Sequence, residues 1–304
     1  MKGRFAPTPS GRMHVGNVFA ALLSYLSVKS KGGTWVLRIE DLDAERCPRE
    51  CALGIEEDLR ALGLDWDEGG VDAGEGMYCQ SRRTRFYAEA LARLEPLCYP
   101  CFCSRSDILD ARAPHESDGR VVYRGTCRDL APSQRPKDRP FSTRIRVPDR
   151  EICFTDGICG AQSVNLASQC GDFIVRRKDG VFAYQLAVVV DDALMGITEV
   201  VRGRDLLLSA AQQIFLFEAL GYEVPSFSHT PLIVGADGRR LAKREASCDI
   251  GELLKRFPAE EIIGRLAFAT GLIPKAEPCL PKDLVGLYNE ETVGRKPTVY
   301  NPFE

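Results

Sequence analysis

The opening of the chain constrains the fold most strongly. A short apolar run, GRFAPT (residues 3–8), is stopped by Pro7 and Pro9. A Pro/Gly turn then leads into a segment whose apolar residues recur at helical spacing: Val15, Val18, Phe19, Leu22, Leu23 and Leu26. A second run, TWVLRIED (34–41), ends in carboxylates, and helical patterns follow over 51–62 and 83–94. Alternating strands and helices predict an α/β fold with a Rossmann-like parallel sheet covered by helices on its faces.

A strand that leaves through such a turn into a helix starting near His14 suits a nucleotide site at the carboxyl end of the sheet. Backbone N–H groups and the helix dipole favour phosphate there. Gly16 has no side chain, so an adenine or ribose could lie close to the backbone. His14 could donate a hydrogen bond to phosphoryl oxygens as charge builds on them. A lone histidine at a helix start also has an ordinary structural reading.

From about Tyr99 to Asp172 the pattern changes. It turns cysteine-rich, then Pro- and Arg-rich (APSQRPKDRP), then shows short strand-like runs such as STRIRVP, as an inserted small domain would. FIVRRKDGVFAYQLAVVVDDA (173–193) returns to strand character, with Asp179-Gly180 as a hairpin turn. ITEVVRG follows, then an amphipathic helix from Asp205 that ends at Gly221. A second Asp-Gly turn falls at Asp237-Gly238, and the tail holds helices over 250–254 and 259–270. The expected units are 1–98 and 173–245 as two halves of the catalytic domain, 99–172 as the insertion, and 246–304 as a helical end.

The 304 residues are 44% hydrophobic and 27% charged, with net charge −3. That balance excludes a disordered polymer, a collagen-like chain and a histone-like basic protein. The start has no apolar signal region and no stretch of about 18 apolar residues occurs. A cytoplasmic protein without a membrane span is expected. Four local basic clusters stand out: Arg82/Arg83/Arg85, Arg135/Lys137/Arg139, Arg176/Arg177/Lys178 and Arg239/Arg240/Lys243/Arg244. They read either as solvated faces or as a surface for a polyanion.

Twelve cysteines in a chain of this kind read as reduced thiols, with one candidate metal site. Cys101 and Cys103 stand two apart, and Tyr123 and Cys127 four apart about 20 residues later. Three thiolates with one oxygen or nitrogen donor make a closed tetrahedral zinc set. Cys98 and His115 are rival ligands.

RFAPTPSGRMHVGN resembles the opening of class I glutamyl-tRNA synthetases, Arg-Phe-Ala-Pro-Ser-Pro-Thr-Gly followed by His-Ile-Gly-His. RIEDLD (38–43) is similar to their Arg-Ile-Glu-Asp-Thr-Asp, and FAYQLAVVVDDALMGITEVVRGRDLL (182–207) to their substrate strand and following helix. RRLAKR (239–244) stands where they carry Lys-Met-Ser-Lys-Ser. The Cys-x-Cys…Tyr-x3-Cys arrangement resembles the zinc module of the family's short paralogues, which act on queuosine in tRNA(Asp). The 61 residues after Lys243 are fewer than the ~100 a separate anticodon-binding domain needs, so none is expected.

The resemblance implies ATP-dependent activation of L-glutamate without tRNA, then its transfer to queuosine at the anticodon wobble position of tRNA(Asp). It assigns the glutamate pocket to Arg4, Phe5, Ala6, Pro7, Thr8, Glu40, Tyr184 and Arg202. Within that set Arg4 engages substrate through its guanidinium fork and Glu40 holds the α-ammonium. His14, Gly16, Asn17 and Lys243 are assigned to ATP, with His14 and Lys243 serving the chemistry and Mg2+ accompanying the nucleotide. One structural Zn2+ is implied at Cys101, Cys103, Tyr123 and Cys127. The expected partners are small substrates and the anticodon stem-loop, with no membrane and no obligatory protein partner. Asn17 replaces the family's second histidine, and Arg240 and Ala242 replace its first lysine and serine. A truncated glutamyl-tRNA synthetase charging a 3′ end and a catalytically silent RNA-binding relative are the alternatives.

Overall fold

The computed structural model describes residues 1–104, 122–235, 249–294, 298–300 and 303. His115, Lys243, Arg240, Ala242, the fourth basic cluster and the Asp237-Gly238 turn lie outside them. The chain runs β1 (Lys2–Phe5), α1 (Val15–Ser30), β2 (Thr34–Leu37), α2 (Arg49–Ala61), β3 (Glu68–Gly69), α3 (Thr84–Arg93) and β4 (Cys98–Cys101). Next come β5 (Ser142–Ile145), β6 (Glu151–Asp156), β7 (Gly160–Asn165), α4 (Leu166–Gln169), β8 (Phe173–Arg176), α5 (Tyr184–Leu194), β9 (Glu199–Gly203) and α6 (Leu207–Leu220). The chain continues through β10 (Ser226–Thr230), β11 (Leu232–Val234), α7 (Ile250–Arg256), α8 (Ala259–Thr270), α9 (Glu290–Gly294) and β12 (Thr298–Tyr300).

A seven-stranded sheet in the order β3-β2-β1-β9-β10-β6-β7 forms the centre. All its pairs are parallel except the β6–β7 hairpin. Period-two alternation sends neighbouring strand residues to opposite faces. Trp35 and Leu37 enter a core with α1, α2 and α8, while Val36 enters a second core with α3, α5 and α6. In β9, Val201 and Val200 divide in the same way. Helices therefore cover both faces, and the carboxyl ends of β1, β2, β9 and β10 open together along one edge.

Two expectations change. Residues 184–194 form helix α5, not strand. Val188, Val189 and Val190 favour strands by their β-branched side chains. Burial of the whole run Leu186–Asp192 beneath α3 and α6 overrides that preference. The strand read over 34–41 ends at Leu37, and Arg38 to Asp41 leave the sheet. Residues 99–172 contribute strands to two sheets. Their β6–β7 hairpin extends the main sheet beside β10, whereas β5 pairs with β4 and β8 in a separate antiparallel sheet. Hydrogen bonding along the β10 edge decides this, and local sequence pattern does not report it.

Candidate active site

A cavity of about 750 Å³ opens where β1, β9 and β10 end. Arg4, Phe5, Ala6, Pro7 and Thr8 line it from β1 and its exit, His14, Gly16 and Asn17 from the start of α1, Glu40 from beyond β2, Tyr184 from α5 and Arg202 from β9. All the residues expected to form the glutamate pocket, and every described residue expected at the nucleotide site, thus line one space. The Phe5 ring is mostly core, stacked on Trp35 with centroids 6.2 Å apart.

Beneath the cavity lies a buried charge network. Asp192 Oδ1 accepts from Arg38 Nη1 at 2.6 Å and from Arg4 Nε at 3.2 Å. Arg38 Nη2 also donates to Glu40 Oε1 at 3.3 Å. Its neighbour Asp191 accepts from Arg83 Nε (2.5 Å), Gln80 Nε2 (2.8 Å) and the Tyr87 hydroxyl (2.9 Å). Burial alone would raise the Asp192 carboxyl, but Arg38 and Arg4 outweigh it and hold the carboxyl below its usual range. Burial wins at Glu40, whose carboxyl is pushed up against the opposing pull of Arg38 and Arg4. It likewise raises the Tyr184 phenol, helped by Glu40, so a neutral hydroxyl faces the cavity. Two carboxylates in an otherwise apolar segment, YQLAVVVDDAL, were the available sequence signal for this network. A buried acid demands a partner.

Arg202 is held differently. Nε donates to His229 Nε2 at 3.0 Å, Nη1 to Gln213 Oε1 at 2.8 Å and Nη2 to the Leu206 carbonyl at 3.4 Å. Among the described residues these acceptors are all neutral, and one N–H remains on each terminal nitrogen. Burial and the nearby Arg4 lower the Arg202 pKa, with Tyr184 acting against them. His229 in turn bonds Asp156 Oδ2 through Nδ1 at 2.5 Å. Sequence reasoning missed His229, Asp156 and Gln213. They come from three separate elements, and only sheet order brings them together.

His14 is the N-cap of α1. Its Nδ1 accepts from Gly16 N at 3.1 Å, and Asn17 Oδ1 accepts from His14 N at 3.1 Å. Asn17 thereby completes a reciprocal cap. With Nδ1 accepting, the proton of a neutral ring resides on Nε2. A Cβ on Gly16 would approach the His14 ring to 3.0 Å, so a side chain there would displace the ring. The chain returns to this point after the segment containing Lys243: Asp249 pairs with His14, and Ile250 N donates to Met13 O at 3.0 Å.

A second cluster gathers Cys101, Cys103 and Cys127, whose sulfurs lie within 4.8 Å of one another. The Tyr123 hydroxyl is 3.4 Å from Cys101 Sγ and 3.9 Å from Cys103 Sγ. Gly171, with φ +68°, lets the Tyr123 backbone pass where a Cβ would come within 2.2 Å of the carbonyl oxygen. Burial acts to raise the Cys101 thiol, but bonds from Tyr123 and from Arg144 (Nε to Sγ, 3.2 Å) draw it down. Burial and the Cys127 contact push Cys103 up to about 12. The donor set suits a thiophilic metal. Cys98, partly buried, packs against the second core instead, its thiol pushed up to about 11 by burial.

The basic clusters separate. Arg135, Lys137, Arg139, Arg176, Arg177 and Lys178 are exposed, as are Arg82 and Arg85. Arg83 is buried on Asp191 and leaves the surface set. Among the described residues no helix is long and apolar enough to cross a membrane.

Residues 1–255 match the family of class I tRNA synthetases (E and Q), catalytic domain, and the chain belongs to that family. Among curated proteins it is 47% identical to the glutamyl-Q tRNA(Asp) synthetase of Symbiobacterium thermophilum, over 97% of this chain and 94% of that one. It is 46% identical to the protein of the same name from Nitratidesulfovibrio vulgaris, over 98% and 95%. A solved glutamate tRNA ligase from Elizabethkingia meningosepticum superposes with a TM-score of 0.81 at 27% identity. That match covers 99% of this chain but 66% of the longer one.

Proposed function

We infer that this chain activates L-glutamate with ATP and transfers it to queuosine in tRNA(Asp), as the names of its full-length relatives indicate for them. The observation that carries the reading is a cavity with two buried guanidinium groups, one of them bonded only to neutral acceptors among the described residues, opposite a buried glutamate. Among the described residues no carboxylate bonds Arg202, so its fork would gain one when a dicarboxylic amino acid fills the cavity. Arg202 and Arg4 offer forks for carboxylate. Glu40, Tyr184 and the backbone of residues 5–8 enclose the ammonium and chain, and an ammonium beside Glu40 would draw its carboxyl back toward ionisation.

In the first step an oxygen of the glutamate α-carboxylate attacks the α-phosphorus of ATP, and pyrophosphate leaves. The α1 N-terminus and the Nε2–H of His14 stabilise charge on the phosphoryl oxygens, with Gly16 allowing close approach. Lys243, outside the described residues, would serve the triphosphate as the family resemblance implies; the described chain resumes at Asp249, which pairs with His14. Mg2+ accompanying ATP would neutralise phosphate charge. In the second step a hydroxyl oxygen of the queuosine cyclopentenediol attacks the glutamyl carbonyl carbon, releasing AMP and the hydroxyl proton. Positioning supplies most of the acceleration, and no protein nucleophile is required.

Cys101, Cys103, Tyr123 and Cys127 would hold a structural Zn2+, which would lock β4 to the 123–127 loop. The exposed basic residues would contact the anticodon stem-loop through its phosphates. The deciding experiment incubates the protein with ATP, labelled glutamate and tRNA with or without queuosine. Label should enter only queuosine-bearing tRNA(Asp). Label on the 3′-terminal adenosine would overturn the reading.

A further inference from the structure

Arg202 is fixed by a chain of buried groups that reaches away from the cavity. Arginine Nε can only donate, so His229 Nε2 must accept its bond, and the His229 proton must reside on Nδ1. Nδ1 then donates to Asp156 Oδ2 at 2.5 Å. Asp156 is immobilised through its other oxygen, which accepts backbone N–H bonds from Ile158 (3.1 Å), Cys159 (2.7 Å) and His229 itself (3.1 Å). Phe227 stacks on the His229 ring with an interplanar angle of 14°, and the Arg202 guanidinium lies 5.3 Å from that same phenyl ring. His229 is 0% exposed and Asp156 1%.

We propose that Asp156 and His229 are positioning residues for substrate carboxylate recognition: Asp156 selects the Nδ1–H tautomer of His229, and that tautomer aims the Arg202 fork into the cavity. The inference rests on the reading of Arg202 as a glutamate contact. The design has a chemical logic. A carboxylate bonded directly to Arg202 would compete with the substrate for its donors. A neutral imidazole orients the guanidinium without cancelling its charge, while the ionised Asp156 stays one ring away. Asp156 comes from β6, Arg202 from β9 and His229 from β10, so the main sheet sets the spacing of all three.

Exchange of labelled pyrophosphate into ATP, measured against glutamate and ATP separately, tests this. Asp156→Asn is nearly isosteric, and its amide can donate to Nδ1, driving the His229 proton to Nε2, where it opposes Arg202. This variant should raise the glutamate KM about tenfold or more and the ATP KM less than about twofold. His229→Leu should do the same. His229→Gln, which can accept from Arg202 and donate to Asp156, should return the glutamate KM to within about threefold of the parent. Nitrogen NMR should find His229 protonated on Nδ1 in the parent and on Nε2 in Asp156→Asn. Arg202→Gln separates the two readings. An unchanged glutamate KM in that variant would overturn the role of Arg202 itself. A raised KM there, with unchanged KM in folded Asp156→Asn and an Nε2–H tautomer in the parent, would overturn the relay alone.

Discussion

Arg4 and Arg202 stand on the adjacent parallel strands β1 and β9 and line one cavity, yet their supports differ in charge. Arg4 leans on the carboxylate of Asp192 at 3.2 Å, and Arg202 on the imidazole of His229 at 3.0 Å. The first is partly neutralised before substrate arrives, the second is not. Under the proposed function, this asymmetry would make Arg202 the stronger anchor for an incoming carboxylate, while Asp192 is the shared counter-charge of Arg4 and Arg38.

Asp192→Asn should cost about 3–5 kcal/mol, because it leaves Arg38 and Arg4 as buried guanidinium groups short of counter-charge. Thermal unfolding should show the melting temperature lowered by roughly 5–15 °C. An unchanged melt would mean that Asp191 and Glu40 alone neutralise the site.

Stability should decline as pH falls from neutrality toward 5, with His229 a main cause. Burial lowers its folded pKa below the ordinary 6.5, against the pull of Asp156. The unfolded chain therefore takes up this proton first, and stability drains away from about pH 6.5 downward. Asp156 and Asp192 are held below 3.8 despite burial, so their contributions are present above that value and are lost only at lower pH. Glu40, raised by burial, works in the opposite direction in both parent and variant. Melting curves of the parent and His229→Gln between pH 7.5 and 5 should diverge in slope, and parallel slopes would count against the assignment.

Cys103→Ser should release about one zinc per chain as purified, read by metal analysis of the protein. A metal content equal to the parent's would show that the four donors do not act as a set. Tyr123→Phe, which removes only the hydroxyl, should weaken retention against a chelator less than the loss of a thiolate does.

Lys243→Ala should slow adenylate formation by roughly a hundredfold while changing glutamate affinity little, since a cation near the triphosphate acts on developing charge. Single-turnover measurement of pyrophosphate release against a glutamate binding isotherm separates the two. Equal losses in both would move Lys243 out of the phosphate site.

Local patterning carried a good part of this protein. The helix from His14, its apolar stripe and the short runs that became β1 and β2 follow from side-chain spacing and from proline and glycine at the exits. The sequence motifs that resemble the synthetases name Arg4 to Thr8, His14, Gly16, Asn17, Glu40, Tyr184 and Arg202 among the residues lining the cavity, because each motif ends at the carboxyl edge of the sheet or at the helix beside it. Tertiary structure decided the rest. Val188 to Val190 became helix because two neighbouring helices bury them, and the β6–β7 hairpin joined the main sheet because β10 presented an edge. Asp156, His229 and Arg202 are far apart in the chain and unremarkable singly. Strand order alone places their polar atoms within bonding distance, and in a buried site such atoms must satisfy one another.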